Sequence, residues 1–150
     1  MKVAIGSDHG GFHLKEDLKK FLAEEGHQVV DMGAYNTEAV DYPDLAMLVA
    51  QAVATKEAVY GVMVDGAGIG SAMVANKIPG VRAANCYDLY SANNAREHND
   101  ANVLTLGGQT LGSGHARKIV KTFLETPYAG GRHQRRVDKI ISIEKRYLKG

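Results

Sequence analysis

Residues 59–71, VYGVMVDGAGIGS, join a β-branched apolar run to a glycine-rich loop. The run at 59–64 has the length and composition of a buried strand, and Asp65 follows it. A helical pattern then extends over 70–77 until Pro79 ends it. The segment therefore predicts a strand, a tight loop and a helix, which is the unit from which parallel α/β sheets are built.

The same alternation of strand and helix continues through the rest of the chain. No hairpin signal joins any of the predicted strands, so the sheet is predicted to be parallel with right-handed crossovers. No repeat or linker divides the sequence, and 1–150 is predicted to be a single domain. The further predicted strands are 2–5, 28–30, 81–85 and 103–106, and the further predicted helices are a first one through Leu14 and Leu22, then 44–54, 87–97, 112–124 and 133–148.

The composition argues against several classes of protein. Of the 150 residues, 45% are apolar, and 18 Lys and Arg nearly balance 17 Asp and Glu. Such a balance gives no net field toward nucleic acid or a membrane surface. No apolar run approaches the roughly 20 residues of a membrane span, the start lacks a signal-peptide pattern, and the single cysteine, Cys86, has no internal disulfide partner. A cytoplasmic protein without nucleic-acid or membrane partners is expected.

The loop after the third predicted strand is a candidate anion site. Its glycines allow a ligand to approach the backbone, and helix N-terminal amides favour a phosphate or a developing oxyanion. The loop is not a Walker A motif, and Ser71 stands where a dinucleotide-binding GxGxxG pattern has its third glycine. A purely structural turn is the alternative interpretation. The candidate residues are Gly66, Ala67, Gly68, Ile69, Gly70 and Ser71.

Two polar stretches place a histidine beside acidic or amide side chains. Asp8 and His9 follow the first strand, where an acid and an imidazole can move protons to and from a ligand. The alternative there is a capping aspartate with a surface histidine. His98 lies in REHNDAN at 96–102 and is a candidate general acid, although a lone histidine is more often structural or exposed.

Two arginines near the C-terminus have helical spacing. Arg132 and Arg136 are four residues apart in GGRHQRR at 130–136, on one face of a helix that begins there. A pair of guanidinium groups is well suited to a phosphate. The alternative is a basic first turn without a ligand, which the helix dipole disfavours.

Together, six motifs in this chain resemble the ribose-5-phosphate isomerase B and galactose-6-phosphate isomerase family, in family order from residue 6 to residue 137. The resemblance implies a Rossmann-like three-layer sandwich with a five-stranded parallel sheet. It also implies a homodimer or tetramer whose active site is shared between subunits, with no metal or nucleotide cofactor. The C-terminal helix at about 133–148 is expected to pack on the partner subunit. The motifs are GSDHGGFHLK (6–15), VDYPD (40–44), GAGIG (66–70), ANKIPGVRAA (75–84), REHNDANVL (96–104) and GGRHQRRV (130–137).

Members of this family interconvert phosphorylated aldoses and ketoses through an enediolate, and the matching positions imply roles here. Separate groups contact the sugar, open its ring, hold the reacting oxygens and bind the phosphate. By the resemblance these groups are Asp8 and His9 for the sugar, His98 for ring opening, Asn99 and the amides of 66–70 for the reacting oxygens, and Arg132 and Arg136, from the partner subunit, for the phosphate. A monomer is therefore expected to be inactive.

Departures from the family pattern concern the base and the phosphate. Ribose-5-phosphate isomerases of this type commonly have Cys-Gly-Thr-Gly with a cysteine base, whereas this chain has Asp65 and Ala67 at the cysteine and threonine positions. Other members have a glutamate base where Ser71 stands, and a family arginine at the phosphate end is replaced by Gln109. Asp65 is the predicted base, because a carboxylate is a competent isomerase base. The alternative is that Asp65 only hydrogen-bonds a sugar hydroxyl, since a helix N-terminus stabilises its charged form.

The favoured reaction is the conversion of ribose 5-phosphate to ribulose 5-phosphate. Galactose 6-phosphate or another sugar phosphate is an alternative substrate, because VMVD at 62–65 and PYAGGRHQ at 127–134 are similar to one subunit type of galactose-6-phosphate isomerase. That subunit works with a cysteine-bearing partner, so a half-site subunit of a mixed complex is a second alternative. A nucleotide-binding module is a third.

Overall fold

The computed structural model describes residues 1–148, which form one parallel sheet with helices on both faces. The elements are β1 (Lys2–Ser7), α1 (Phe12–Glu24), β2 (Gln28–Asp31), α2 (Tyr42–Ala54), β3 (Tyr60–Asp65), α3 (Ile69–Ala75), β4 (Ala83–Asn85), α4 (Leu89–Glu97), β5 (Val103–Gly107), α5 (Ser113–Glu125) and α6 (Arg132–Tyr147). The strand order is β2-β1-β3-β5-β4, and every neighbouring pair is parallel. The predicted five-stranded α/β fold is confirmed.

The two faces of the sheet are covered by different helices, which gives three layers. Leu18 of α1 and Phe123 of α5 pack with Leu104 of β5 in the larger core. On the opposite face, Val49 of α2 packs on Met63 of β3. Because both faces are buried, the central strands are apolar along their whole length, which is why their sequences lack the alternation of a half-exposed sheet.

Strand β4 is shorter than the predicted 81–85, because the two backbone amides before it are hydrogen-bonded outside the sheet, one to a side chain and one within a turn. The amide of Arg82 donates to Oδ1 of Asn102 at 2.8 Å, and the amide of Val81 donates to the carbonyl of Ile78 at 3.1 Å. Only Ala83–Asn85 pairs with β5. The strand therefore forms a short edge of the sheet.

The C-terminal helix α6 is mostly exposed in this chain. His133 and Val137 are its buried residues, whereas Ile140, Ile143 and Tyr147 are 44%, 52% and 77% exposed. An apolar stripe of this kind suits the expectation that the helix packs on a partner subunit, which stays a prediction. No helix within residues 1–148 is long and apolar enough to cross a membrane.

A buried lysine joins α1 to the segment after β2. The side chain of Lys15 is fully buried, and its ammonium contacts both carboxylate oxygens of Asp31, at 2.9 and 3.0 Å, and the carbonyl of Ala34. Burial raises the pKa of Asp31, but hydrogen bonds from Lys19, Lys15 and the amide of Gly33 outweigh this and hold it below its ordinary value. Asp31 therefore stabilises the fold in its charged form.

We expect Lys15→Met to lower the free energy of unfolding by about 2 kcal/mol at pH 7, because it breaks a buried ion pair and leaves a carbonyl without its donor. Asp31 has a lowered pKa in the fold, so its contribution is present above the ordinary value of 3.8 and is lost as the pH falls through the folded value. Urea unfolding at pH 7 and at lower pH should show the difference between variant and wild type shrinking in acid.

Lys121→Met is the matched control, because Lys121 makes its ion pairs with Glu25 and Glu125 on the surface. It should change the stability by less than about 1 kcal/mol. Equal effects of the two lysine substitutions at pH 7 would show that the buried network contributes no more than a surface pair.

Candidate active site

Polar residues that follow three neighbouring strands meet at the carboxyl-terminal end of those strands. Asp8 and His9 follow β1, Asp65 is the last residue of β3, and Gln109 follows β5. The amide of Gln109 donates to the carbonyl of Gly66 at 3.0 Å, which joins two of these segments. The carboxyl ends of parallel strands are the usual place for ligands in such sheets. We define the loop group as Asp8, His9, residues 65–71 and Gln109.

The glycine loop between β3 and α3 is fixed from beneath and open above. Gly68 has φ +78°, and a Cβ there would lie 2.7 Å from Oδ1 of Asn85, so a larger residue fits neither the backbone nor the space. Its carbonyl accepts a hydrogen bond from Oγ1 of Thr105 at 2.6 Å. A Cβ added at Gly66 would meet no atom within 4 Å, and Ala67 is exposed. The loop can therefore receive a ligand on its outer side without rearranging.

Asp65 is buried at the base of this loop, with 4% of its surface exposed. Its Oδ1 accepts a hydrogen bond from Oγ of Ser71 at 2.7 Å, and its Oδ2 accepts one from the amide of Ser71 at 3.3 Å. Both contacts come from the first turns of α3, where backbone amides favour a negative charge. Asp65 is thus held in one orientation at the start of the loop.

Tyr42 lies against the loop and was not among the predicted site residues. Its ring and hydroxyl occupy the space where a Cβ on Gly70 would stand, and the residue is 38% exposed. Ile69, beside it, is 54% exposed. Tyr42 is the first residue of α2 and stands directly before Pro43, and its place in the VDYPD motif was the one sequence signal for it.

Asp8 and His9 are fixed by neighbouring amides. The amide of Gly11 donates to Oδ1 of Asp8 at 2.9 Å, and the amide of Val40 donates to Nδ1 of His9 at 3.2 Å. An amide can only donate, so Nδ1 of a neutral His9 is the acceptor and Nε2 carries the proton. His9 is exposed and presents this Nε2–H as a donor at the edge of the sheet.

Gln109 lies beside Asp8. A Cβ added at Gly10 would be 3.5 Å from Oδ1 of Asp8 and 4.0 Å from Nε2 of Gln109, so both side chains border the same small space. The amide of Gln109 supplies a neutral donor there, where an arginine would supply a charge.

Cys86 is the one cysteine of the chain and lies outside the loop group. It follows β4 and is 1% exposed, and burial raises the pKa of its thiol to about 11. The thiol therefore stays protonated at neutral pH, which removes it as a base. Within residues 1–148, no three His, Cys, Asp or Glu side chains are grouped as metal ligands.

The other predicted site residues lie at the opposite end of the strands, on the amino-terminal side of the sheet. His98 and Asn99 precede β5, whereas Gln109 follows it. The five residues of β5 span about 16 Å at roughly 3.3 Å per residue. Arg132 starts α6 on the side of His98, because His133, next to it, stacks on His98. We define the basic group as His98, Asn99, Arg132, His133 and Arg136.

The basic group is built around two stacked imidazoles. The rings of His98 and His133 are 4.0 Å apart at their centroids and 14° from parallel. Nδ1 of His98 lies 3.0 Å from Nδ2 of Asn94. Burial lowers the pKa of His133, and electrostatic repulsion from the neighbouring basic side chains, Arg132 and Arg136 among them, lowers it further. The cluster favours an anion, because a negative ligand would relieve the repulsion among these groups.

This chain brings the loop group together but does not bring the basic group to it. His98 and Asn99 precede β5 whereas Gln109 follows it, so the two groups lie toward opposite ends of that strand. His133 is a further member of the cluster that the sequence did not single out; its position between two glycines and two more arginines was the available signal.

Comparisons with known proteins support the motif resemblance. The model of the Ribose/Galactose Isomerase family matches residues 3–140. The chain is 45% identical over 145 residues to ribose-5-phosphate isomerase B of Escherichia coli, covering 97% of both. It is 43% identical over 140 residues to a galactose-6-phosphate isomerase subunit of Streptococcus pyogenes, covering 93% of this chain and 97% of the relative.

The solved structure of a relative superposes closely on this chain. Ribose-5-phosphate isomerase B of Clostridium thermocellum superposes with a TM-score of 0.97 at 48% identity, covering 99% of this chain and 100% of the other. The resemblance inferred from the six motifs is thereby confirmed. The chain belongs to the Ribose/Galactose Isomerase family of sugar-phosphate isomerases.

Proposed function

We propose that this protein interconverts an aldose phosphate and a ketose phosphate, with ribose 5-phosphate and ribulose 5-phosphate as the favoured pair. The observation that carries the proposal is the Asp65 carboxylate, held at the base of an open glycine loop beside Asp8 and His9. A fixed base next to backbone amides is what proton abstraction at a carbon beside a carbonyl requires. The relative from Escherichia coli, named for ribose 5-phosphate, supports the choice of substrate.

The proposed chemistry moves one proton between neighbouring carbons. Asp65 takes the C2 proton of the open-chain aldose and returns it to C1, while the proton of the C2 hydroxyl passes to the C1 oxygen, so the isomerisation is balanced without a cofactor. The negative charge that develops on the substrate oxygens is stabilised by the amides of 66–70 and by Asn99. His98 carries the proton of ring opening, and Asp8 and His9 orient the hydroxyl groups. His9 does so as a donor from Nε2, the nitrogen that Val40 leaves free.

The proposed binding site is shared between two copies of the chain. Arg132 and Arg136 of one copy bind the phosphate of a sugar held by the loop group of the other, and His98 and Asn99 come with them. The separation of the two groups along β5 supports this arrangement, since each is incomplete alone. The exposed apolar stripe of α6 supplies surface for such a homodimer or for a tetramer. A cytoplasmic location is part of this proposal.

A second candidate substrate is galactose 6-phosphate or another sugar phosphate. The observation in its favour is Gln109, a neutral amide beside Asp8 where the ribose-specific branch is expected to have an arginine. The similarity to a galactose-6-phosphate isomerase subunit supports it as well. The same similarity favours a half-site subunit that needs a partner chain of another sequence.

Deuterium exchange from heavy water is the test of this proposal. We expect the purified chain to introduce deuterium at the proton-bearing carbon beside the carbonyl of ribose 5-phosphate and ribulose 5-phosphate, followed by NMR. Exchange reports enediolate formation even where net conversion is slow. Four-, five- and six-carbon aldose and ketose phosphates form the panel, and free ribose is the control for the phosphate requirement.

Each result of the panel distinguishes between the candidate substrates or between an active enzyme and a half-site subunit. Exchange with galactose 6-phosphate alone would replace ribose 5-phosphate as the substrate. Exchange with no sugar phosphate, restored by a cysteine-bearing relative, would establish the half-site subunit instead.

A further inference from the structure

The side chain of Ser71 points at Asp65. Its hydroxyl donates to Oδ1 at 2.7 Å and its amide donates to Oδ2 at 3.3 Å, so one residue supplies a donor to each carboxylate oxygen. Hydrogen bonds to a charged acceptor are stronger than neutral ones and fix its orientation. The hydroxyl of Ser71 has no other acceptor among the hydrogen bonds of the described chain.

Burial decides which of the two side chains a substrate can reach. Ser71 is 0% exposed, whereas Asp65 is 4% exposed. A ligand seated over Gly66, where a Cβ would meet nothing within 4 Å, therefore finds no exposed surface of Ser71 to contact. Direct binding of substrate by the Ser71 hydroxyl, one of the roles expected from the sequence, is disfavoured by this arrangement.

We propose that Ser71 is the positioning residue of Asp65: its hydroxyl and amide hold the carboxylate in the orientation in which it meets the bound sugar. Each carboxylate oxygen accepts one hydrogen bond from Ser71 and retains another lone-pair direction for a substrate proton. Ser71 touches no reacting atom and acts through Asp65 alone. This inference rests on the proposed function, in which Asp65 is the base.

The pairing gives a physical account of how an aspartate works at this position. A buried carboxylate without donors is protonated more readily, because burial penalises its charged form. Ser71 supplies one donor to each carboxylate oxygen of Asp65, at 2.7 and 3.3 Å. The serine and the aspartate therefore form one functional unit.

Ser71→Ala tests the inference in the full-length chain. The variant keeps the backbone amide but removes the shorter of the two hydrogen bonds, so the carboxylate is less well oriented. We expect kcat to fall about tenfold and KM for ribose 5-phosphate to stay within about twofold. Ser71→Thr keeps the hydroxyl and should restore kcat.

Ser113→Ala is the matched control, because Ser113 is an exposed serine at the start of α5. It should leave kcat, KM and the pH profile unchanged. Thermal unfolding of all variants separates a loss of fold from a loss of positioning, and kcat is compared per folded molecule. A folded Ser71→Ala enzyme with the wild-type kcat would overturn the role of Ser71.

Failure of this inference and failure of the proposed function give different results. If Asp65→Asn still exchanges the substrate proton, the base is wrong and the positioning role fails with it. If Asp65→Asn is inactive while Ser71→Ala behaves as wild type, Asp65 remains the base and Ser71 has no part in positioning it.

Discussion

Asp65→Asn should lower kcat about a thousandfold and abolish exchange of the substrate's C2 proton with solvent. General base catalysis contributes roughly 10²- to 10⁴-fold, and an amide has no lone pair basic enough to replace the carboxylate. The side chain keeps its size and can still accept the hydrogen bond from Ser71, so the loop should hold its shape. The loss is therefore expected in kcat with little change in KM.

The measurement is steady-state turnover of ribose 5-phosphate together with deuterium exchange by NMR. Asp17→Asn is the matched control, since it removes a carboxylate that pairs with Arg117 between α1 and α5, away from the loop group. The control should retain wild-type kcat at a temperature well below its unfolding midpoint. Arg117 lowers the pKa of Asp17, so any effect of this substitution belongs to stability above the ordinary pKa of the carboxyl.

Surviving exchange in Asp65→Asn would move the search to other groups of the loop. Asp8 is then the next candidate base, because its Oδ1 borders the same space as the side chain of Gln109. Cys86 would remain an unsuitable candidate, with the pKa of its buried thiol raised to about 11.

Much of the fold was predictable because strands buried on both faces leave an unambiguous signal. The apolar run at 59–64 and the glycines after it correspond to β3 and the loop that Thr105 and Asn85 hold in place. The shortened β4 was not predictable in the same way. It depends on Asn102, which is distant in the sequence and whose Oδ1 accepts the hydrogen bond of the Arg82 amide, so this amide does not pair with β5.

The contacts of the candidate site residues within the chain were only partly predictable from the sequence. In a parallel sheet, residues that follow a strand lie at the carboxyl-terminal end of the strands, and residues that precede a strand lie at the amino-terminal end. That rule separates His98, before β5, from Asp65, at the end of β3, and it could have been applied to the sequence alone. The bond between Ser71 and Asp65 needed coordinates, because a serine in a glycine loop can face either the ligand or the core.

The proposed sharing of the site between two subunits predicts that two inactive variants can restore activity to each other. Asp65→Asn damages the loop group, and a double variant, Arg132→Ala with Arg136→Ala, damages the basic group at the opposite edge. Each homo-oligomer carries its defect in every site and should be inactive at low substrate concentration. A mixed dimer carries both defects in one site and neither in the other, so it should regain activity from near zero.

Co-expression of the two variants with different affinity tags isolates the mixed dimer. Its kcat per dimer should reach about half of the wild-type value, because one of its two sites is intact. The control is a mixed dimer of Asp65→Asn with Asp8→Asn, in which both substitutions lie in the loop group and neither site is intact. This control should stay inactive although its subunits associate equally well.

The two possible outcomes assign the phosphate-binding arginines to different copies of the chain. Recovered activity requires that Arg132 and Arg136 serve the loop group of the other subunit, since a site built within one chain is damaged in both halves of the mixed dimer. Activity that stays near zero, in a dimer whose size is confirmed by light scattering, would contradict the shared site. The basic group would then be a separate anion site, built around the stacked rings of His98 and His133, and the phosphate of the substrate would have to be bound by the loop group itself, through Gln109 and the amides of 66–70.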